Sequence, residues 1–276
     1  MRIHSIPGAL ALIPVAILIL PRGAAAQCEH GADRSATSAL AGVERVHVMA
    51  GAGSLEVTGR AGATGMSARG RACASERDEL DEIRLDVRRE GSTLVVEVLY
   101  PDDRNHFGVH YARMDLVVDV PQGTAVVIDD GSGNLTFSGT GETRVTDGSG
   151  EISGRDVRGA LEIEDGSGNI DLNEVAGAID IDDGSGELEI RQARGAVEIE
   201  DGSGNIDVDG AQSLRVSDGS GEIQASNVSG NVTVDDDGSG SIRVQGVGGN
   251  FTVDDDGSGD VRFTDVTGRV SIPDDD

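Results

Sequence analysis

The four-residue motif Asp-Gly-Ser-Gly (DGSG) recurs through the second half of the chain, and each copy separates two short runs in which apolar and polar residues alternate. Its spacing is 17 to 19 residues, and a fixed period near 18 is typical of a solenoid whose repeats bury their apolar faces only against neighbouring repeats. The eight motifs begin at Asp130, Asp147, Asp165, Asp183, Asp201, Asp218, Asp237 and Asp256. The repeat excludes an ordinary helical fold and predicts stacked coils.

Within one repeat, apolar residues occupy every second position, as Leu161 and Ile163 do before a motif and Ile170 and Leu172 do after it. A period of two indicates strands with one buried and one wet face. Because equivalent residues of successive repeats lie above one another, Val, Ile and Leu should form ladders inside the coil. The predicted fold is all-β, a single-stranded parallel β-helix with about 18 residues per coil.

Composition and repeat spacing divide the chain into five segments. The residues from Ser75 to Ile83, "SERDELDEI", predict a short helix that caps the open end of the coils. The segments are a signal peptide (1–26), an N-terminal strap (27–42), irregular N-terminal coils or cap (43–120), regular acidic repeats (121–272) and an acidic tail (273–276).

The first 26 residues have the pattern of a secretory signal: Arg2, an apolar run over 9–20 and a small-residue segment that favours cleavage after Ala26. The apolar run is too short for a membrane span of about 20 residues. Gln27, directly before Cys28, argues against lipoprotein processing. We therefore expect an exported protein, periplasmic or extracellular. In such an oxidising compartment we expect Cys28 and Cys73 to form a disulfide; a free thiol and a metal site are the alternatives.

Two segments, "GSLEVTGRAG" and "MDLVVDVPQGTAVVIDDGSGNLTFSG", followed by "GSGNI" and "GSGEI" corners, resemble the bacterial putative-adhesin β-strand-repeat domains of unknown function. The resemblance extends over residues 43–272. It implies a right-handed β-solenoid of the cell envelope, outside the cytoplasm. This chain is more regular and more acidic than the family pattern, so the resemblance implies no particular partner.

The DGSG motif has a structural and a functional interpretation. Its glycines accept positive φ at a sharp corner, and its Asp can accept hydrogen bonds from N–H groups one or two residues on. Alternatively, stacked carboxylates about 4.8 Å apart would repel by roughly 0.9 kcal/mol per pair in water, and calcium would relieve that repulsion. The weak calcium candidates are Asp147, Asp165, Asp183, Asp201, Asp218, Asp237 and Asp256.

A dedicated calcium roll of the Gly-Gly-x-Gly-x-Asp type places its ligand two residues after the last turn glycine. Here that position is apolar in five repeats, so the ligand is missing. The residues are Ile170, Leu188, Ile206, Ile223 and Ile242. Looser cation binding along 235–237 and 254–256 stays an alternative, although the extra Asp in each segment is also explained by a bulge. No other cofactor is predicted.

The charge is strongly negative, −28 overall, with 34 acidic residues and nine arginines between Gln122 and Asp276. Such a field attracts cations and repels nucleic acid and anionic membranes. Short coils with two Tyr and four Phe lack the cleft and aromatic platforms of polysaccharide-cleaving β-helices. We predict no catalytic residue and no enzyme activity.

One further cluster, "DDRNHFGVHY", contains His106 and His110 close to Asp102 and Asp103. Residues four apart on a strand are about 13 Å apart, so only a turn would let the two histidines share a metal. We interpret this segment as a polar loop of the cap.

These features predict an exported, non-catalytic β-solenoid, an adhesin-like structural or interaction module whose exposed acidic ladders contact an envelope or surface partner, protein or glycan. The alternative is a divalent-cation-responsive acidic envelope protein. Growth of filaments from stacked ends is a third option, which Pro273 and the like charges of the tail oppose. We expect a monomer.

Overall fold

The structure, a computed structural model, describes residues 28–101 and 111–273. The predicted signal peptide, residues 274–276 of the acidic tail, and the loop candidates Asp102, Asp103, His106 and His110 lie outside the described residues. Within the described part, the chain forms two 12-stranded sheets and one helix, and no helix there is long and apolar enough to cross a membrane.

The chain order of the elements has an irregular first part and a regular second part. The first part consists of β1 (His30–Ala39), β2 (Arg45–Met49), β3 (Leu55–Arg60), β4 (Gly65–Ala74), α1 (Arg77–Glu82), β5 (Arg84–Glu90), β6 (Thr93–Leu99) and β7 (Ala112–Pro121). The second part consists of β8 (Ala125–Asp130), β9 (Leu135–Ser138), β10 (Thr143–Asp147), β11 (Ile152–Val157), β12 (Leu161–Asp165), β13 (Ile170–Val175), β14 (Ile179–Asp183), β15 (Gly186–Arg191), β16 (Ala196–Asp201), β17 (Gly204–Ala211), β18 (Ser213–Asp218), β19 (Gly221–Val228), β20 (Val232–Asp237), β21 (Gly240–Val247), β22 (Phe251–Val253), β23 (Val261–Val266) and β24 (Val270–Ser271).

Each regular coil contributes one strand to each sheet, and a DGSG motif joins the two strands. The strand before the motif lies in the leading sheet, whose order is β24-β22-β20-β18-β16-β14-β12-β10-β8-β2-β6-β5. The strand after it lies in the trailing sheet, whose order is β1-β4-β7-β3-β9-β11-β13-β15-β17-β19-β21-β23. Successive regular strands pair in parallel. The prediction of a parallel β-solenoid with coils of about 18 residues is therefore confirmed.

The interior of the rod is filled by the predicted ladders of branched aliphatic side chains. Ile163, Ile181 and Ile199 are directly paired across neighbouring coils and are each 1% exposed. Burial of such a side chain contributes about 1.5–3 kcal/mol relative to leaving it in water. Because each contact is with the adjacent coil, stability is distributed evenly along the rod rather than concentrated in one core.

The corner opposite the DGSG motif is made by a residue in the left-handed backbone region. Equivalent positions of successive coils are occupied by Gly139, Gly210 and Gly246 in three coils and by non-glycine residues, with φ between 51° and 58°, in five others. The non-glycine residues are Asp156, Glu174, Gln192, Asn227 and Asp265. The coil therefore turns in the same way at each of these positions even though the residue type changes.

The N-terminal coils do not stack in chain order. The first coil, β2 and β3, is inserted between the coil formed by β6 and β7 and the first regular coil, β8 and β9. The chain leaves this first coil, forms an antiparallel cap, and returns on its far side. The sequence prediction of irregular first coils did not anticipate this order, because strand alternation carries no information about which strands are neighbours.

The cap covers the N-terminal end of the stack with antiparallel pairs, β1 with β4 and β5 with β6. The helix occupies the insertion where the sequence predicted one. Arg34 on β1 donates hydrogen bonds of 2.9 Å each to the carbonyl oxygens of Leu80 and Ile83 at the end of that helix. Cys28 and Cys73 are joined by a disulfide with 5.4 Å between their Cα atoms, which fastens the N-terminal strap to β4.

Candidate functional site

The aspartates of the DGSG motifs stand above one another at one corner of the rod. The parallel register pairs each motif Asp from Asp130 to Asp237 with its counterpart in the next coil, and an isolated bridge continues the series to Asp256. We call the eight residues the aspartate column. Strand spacing sets successive members about 4.8 Å apart.

The column is buried. Seven members, from Asp130 to Asp237, are at most 7% exposed, and Asp256 at the last coil is half-buried. The sequence-based expectation placed this file of carboxylates in water, and that expectation was wrong. A signal for burial was present: Asp165 follows Leu161 and Ile163 in the same alternation, so it points to the same inner face.

One carboxylate oxygen of a column member closes the corner. The backbone N–H of Ser185 donates to Oδ1 of Asp183 at 3.1 Å, and Ser220 donates to Oδ1 of Asp218 at 3.0 Å. The same bond is made to Asp165 and Asp201. These are the Asx-type turns expected of Asp before Gly. The structural interpretation of the motif as a corner is therefore correct.

The other oxygen is shielded and unsatisfied. Within residues 28–101 and 111–273, no hydrogen-bond partner is present for Oδ2 of Asp130, Asp165, Asp183, Asp201 and Asp218. Burial raises the pKa of the seven buried members, and it reaches about 6 for Asp130, Asp183, Asp218 and Asp237. Repulsion from neighbouring carboxylates adds to this increase in pKa at those four positions.

The exposed negative charge lies instead on the outer surface of the leading sheet. Six carboxylates at the outward positions of β12, β14 and β16 form two ladders of three, aligned by the parallel register. They are Glu162, Asp180 and Glu198 in one ladder and Glu164, Asp182 and Glu200 in the other. We call these six residues the acidic face. Neighbours are about 4.8 Å apart between coils and about 6.6 Å apart along a strand.

Arginines bound the acidic face but do not enter it. Arg144 pairs in register with Glu162 and contacts its Oε2 at 2.6 Å, and Arg215 follows Glu198 in the same ladder. Arg215 is directed to Asp235 of the next coil, at 2.5 Å. Asp235 is the extra residue of that coil, taken up by an irregularity in register as the bulge interpretation expected.

The outer surface of the trailing sheet has mixed charge. Its outward positions include Arg155 and Arg191 among acidic and amide side chains, and Arg191 pairs with Asp171 at 3.3 Å. The two broad faces thus differ in arrangement: the six carboxylates of the acidic face stand together without an intervening arginine, whereas arginines are interspersed among the acidic residues of the trailing sheet. Sequence reasoning recognised acidic ladders but did not separate the acidic face from the buried column.

The calcium candidates belong to the column, where their carboxylates are stacked singly. Among residues 28–101 and 111–273, no three His, Cys, Asp or Glu side chains are grouped so as to hold a metal ion. The six carboxylates of the acidic face are aligned for electrostatic contact rather than convergent on a point. The acidic face can attract cationic groups, whereas the aspartate column places carboxyl groups inside the coil.

A known protein family matches a part of the chain that includes regular repeats. The sequence pattern of the Toastrack DUF4097 family matches residues 76–226, more than half of the chain. No curated protein matches the chain.

Several solved structures are similar to the chain. A putative cell adhesion protein from Clostridium sporogenes is 12% identical, with 88% of this chain and 99% of that chain covered and a TM-score of 0.27. A putative adhesin from Bacteroides fragilis is 13% identical, with 89% and 98% covered and a TM-score of 0.36. A putative adhesin from Parabacteroides distasonis is 10% identical, with 88% and 98% covered and a TM-score of 0.35.

Proposed function

The chain belongs to the Toastrack DUF4097 family, and we propose that it is an exported, non-catalytic β-solenoid that binds a cationic partner through its acidic face. The rod supplies a rigid, flat support, and the parallel register fixes the spacing of the carboxylates. Because the acidic residues repeat along the coils rather than converging as one pair, the proposal includes no reaction.

The proposal rests on the excess of negative charge on the acidic face: Arg144 pairs with Glu162, and no ion pair within the described part of the chain balances the other five carboxylates. Six carboxylates on three adjacent coils stand together, and the flanking Arg144 and Arg215 lie at its two edges. Their like-charge repulsion acts within the Debye length of about 8 Å at physiological salt, so it persists in solution. A basic protein surface that matches this spacing would remove the repulsion and gain a complementary field.

Two features support a location outside the cytoplasm. The first 26 residues have the composition of a secretory signal. The disulfide between Cys28 and Cys73 is a type of bond that persists in oxidising compartments. We propose the periplasm or the cell surface, and fractionation of cells followed by detection of the mature chain would test the location.

Binding is tested with the mature chain and an oligo-arginine peptide at about 0.15 M salt. A variant of the acidic face carries Glu162→Gln, Glu164→Gln, Asp180→Asn, Asp182→Asn, Glu198→Gln and Glu200→Gln. The matched control removes six charges near or on the trailing sheet by Glu151→Gln, Asp171→Asn, Glu187→Gln, Glu189→Gln, Asp207→Asn and Glu222→Gln. We expect the first variant to lose at least about tenfold in affinity and the control to lose much less. Equal losses, or no binding by the unmodified chain, would contradict the proposal.

The second candidate function is a response to divalent cations, which the close spacing of the same carboxylates favours. A hard cation such as calcium prefers carboxylate oxygens and would reduce the repulsion between ladders. Thermal unfolding with millimolar calcium or magnesium, compared with chelator, tests it. A higher midpoint with the ion that is lost in the acidic-face variant supports this candidate, and an unchanged midpoint rejects it.

A further inference from the structure

The aspartate column plays no part in the proposed contact surface, yet it concentrates buried acidic groups along the regular coils. Seven of its carboxyl groups are at most 7% exposed and follow one another at about 4.8 Å. If all were ionised, the rod would hold an uninterrupted line of negative charge inside a medium of low dielectric constant. Such charges are stable only when paired, or when they are neutralised by a proton.

The charged groups that act on the column are themselves acidic. Each member faces the members of the coils above and below, Asp182 adds to the repulsion on Asp183, and Asp236 adds to that on Asp237. At the cap end, Tyr100 faces Asp130, and burial together with the charge of Asp130 raises the pKa of that phenol. On the side of the corner, backbone N–H groups of the motif approach the carboxylates, and at Asp130 the N–H of Gly51 does so as well.

We propose that the aspartate column takes up protons in mild acid, with neighbouring carboxyl groups sharing them along the stack, so that mild acid strengthens the rod. Protonation of alternate members would remove every second buried charge. It would also turn a shielded oxygen into an O–H donor that can reach the next carboxylate, which gives the partnerless Oδ2 atoms a hydrogen bond. This device does not depend on the binding of a partner to the acidic face.

The sign of the pH effect follows from the direction of the shifts. The folded chain holds these groups at pKa values raised to about 6 for Asp130, Asp183, Asp218 and Asp237, whereas an unfolded Asp titrates near 3.9. Between these values the folded state binds more protons than the unfolded state. Stability therefore rises as pH falls through 6 and levels off below about 4.

A column of bound cations is a weaker explanation of the same geometry. Calcium takes six to eight oxygen ligands, and the described residues include no cluster of three side chains that could hold a metal. A proton needs only one donor and one acceptor, which two neighbouring carboxyl groups supply.

The experiment is thermal unfolding of the mature chain between about pH 7.5 and about pH 5. We expect the midpoint of the unmodified chain to be higher at the lower pH by about 5 °C or more. A column variant, Asp183→Asn, Asp201→Asn and Asp218→Asn, keeps the acceptor for the serine N–H and carries no charge at these three positions. Its midpoint should be higher at neutral pH and should change less with pH than that of the unmodified chain, because Asp130 and Asp237 still titrate. A matched outer variant, Glu162→Gln, Asp180→Asn and Glu198→Gln, should keep the pH response of the unmodified chain.

Loss of the pH response in the outer variant but not in the column variant would overturn the proposal, and so would an unmodified chain that is not stabilised by acid. If the column variant does not fold, a measurement on the unmodified chain alone still tests the proposal. Its unfolding by denaturant at about pH 6 should release on the order of two protons or more, and no release rejects the proposal. Saturable stabilisation by calcium at neutral pH that is absent from the column variant would assign the column to cations instead. None of these outcomes depends on binding to oligo-arginine.

Discussion

At the scale of single residues, the second glycine of the DGSG motif is the position with the least freedom. In Gly204 the backbone has φ of +155°, and a Cβ atom there would overlap the carbonyl oxygen of Gly186 in the coil below. The same overlap recurs at Gly186 and Gly221 against the preceding coil. The motif keeps its glycines because the backbones of neighbouring coils lie too close together for a side chain to fit between them.

Substitution at this position should be severe. We expect Gly204→Ala to reduce the free energy of unfolding by about 3 kcal/mol or more, because the coils must separate or the corner must distort. Gly123→Ala is the matched control: φ is also positive, at +80°, but the added methyl meets only open space. It should cost about 1 kcal/mol. Urea unfolding of both variants measures the difference, and similar losses would mean that the glycines serve backbone conformation alone.

At the scale of the elements, the sequence predicted the strands and the corners. It did not predict that the motif Asp points inward, or the order in which the first coils stack. Alternation identified the strands around Leu161 and Ile170, and the spacing identified the corners. The acidic character of Asp165 suggested exposure, although its parity with Ile163 indicates burial. The corner formed by Glu174 gave no sequence signal, because the requirement there is a left-handed backbone that several polar residues satisfy.

The cap shows a second limit of sequence reasoning. Asp119 on β7 accepts hydrogen bonds from Arg60 on β3 and Arg69 on β4, and so links three strands whose adjacency no periodicity reveals. Burial alone would raise the pKa of Asp119, but the two arginines outweigh it and the pKa is lowered. Its contribution to stability is therefore present above the ordinary Asp pKa near 3.9 and is lost at lower pH, opposite to the column.

Substitution of a residue at the left-handed corner tests whether its backbone conformation or its side chain is required there. Glu174 has φ of 58° and is exposed, so Glu174→Gly should be neutral or should stabilise the chain by up to about 1 kcal/mol through relief of backbone strain. The control, Glu164→Gly, lies within strand β12, where glycine should cost about 0.5–1 kcal/mol. Chemical unfolding of the pair checks the contrast. A clear destabilisation by Glu174→Gly would show that this side chain, rather than the backbone, is needed at the corner.

At the scale of the whole molecule, the rod is a sum of similar coils that contact only their neighbours. Deletion of 184–201 removes one period and rejoins Asp183 to Gly202, which restores a complete DGSG motif. We expect the shortened chain to fold with native β-sheet content and a modest loss of stability, since only one interface between coils is removed. Circular dichroism and urea unfolding measure both properties.

The matched control removes 184–192, half of a coil, so that β15 is lost and two strands of the leading sheet, β14 and β16, follow each other directly. This variant should fail to fold cooperatively, because that coil has no strand to place in the trailing sheet. Equal tolerance of the two deletions would contradict a rod built from equivalent stacked coils.

The acidity of the molecule then has two separate parts, an outer face that is ionised and an inner column that takes up protons in mild acid. Titration of the aspartate carboxyl carbons by NMR, in the mature chain labelled at aspartate, tests this division most directly. We expect one group of signals that titrates near the ordinary Asp value of about 4 and a second group, from the column, that titrates at higher pH, near 6 for Asp183, Asp218 and Asp237; the signals of Asp183, Asp201 and Asp218 should be absent from the column variant. A single group in which all aspartates titrate together near 4 would contradict this division.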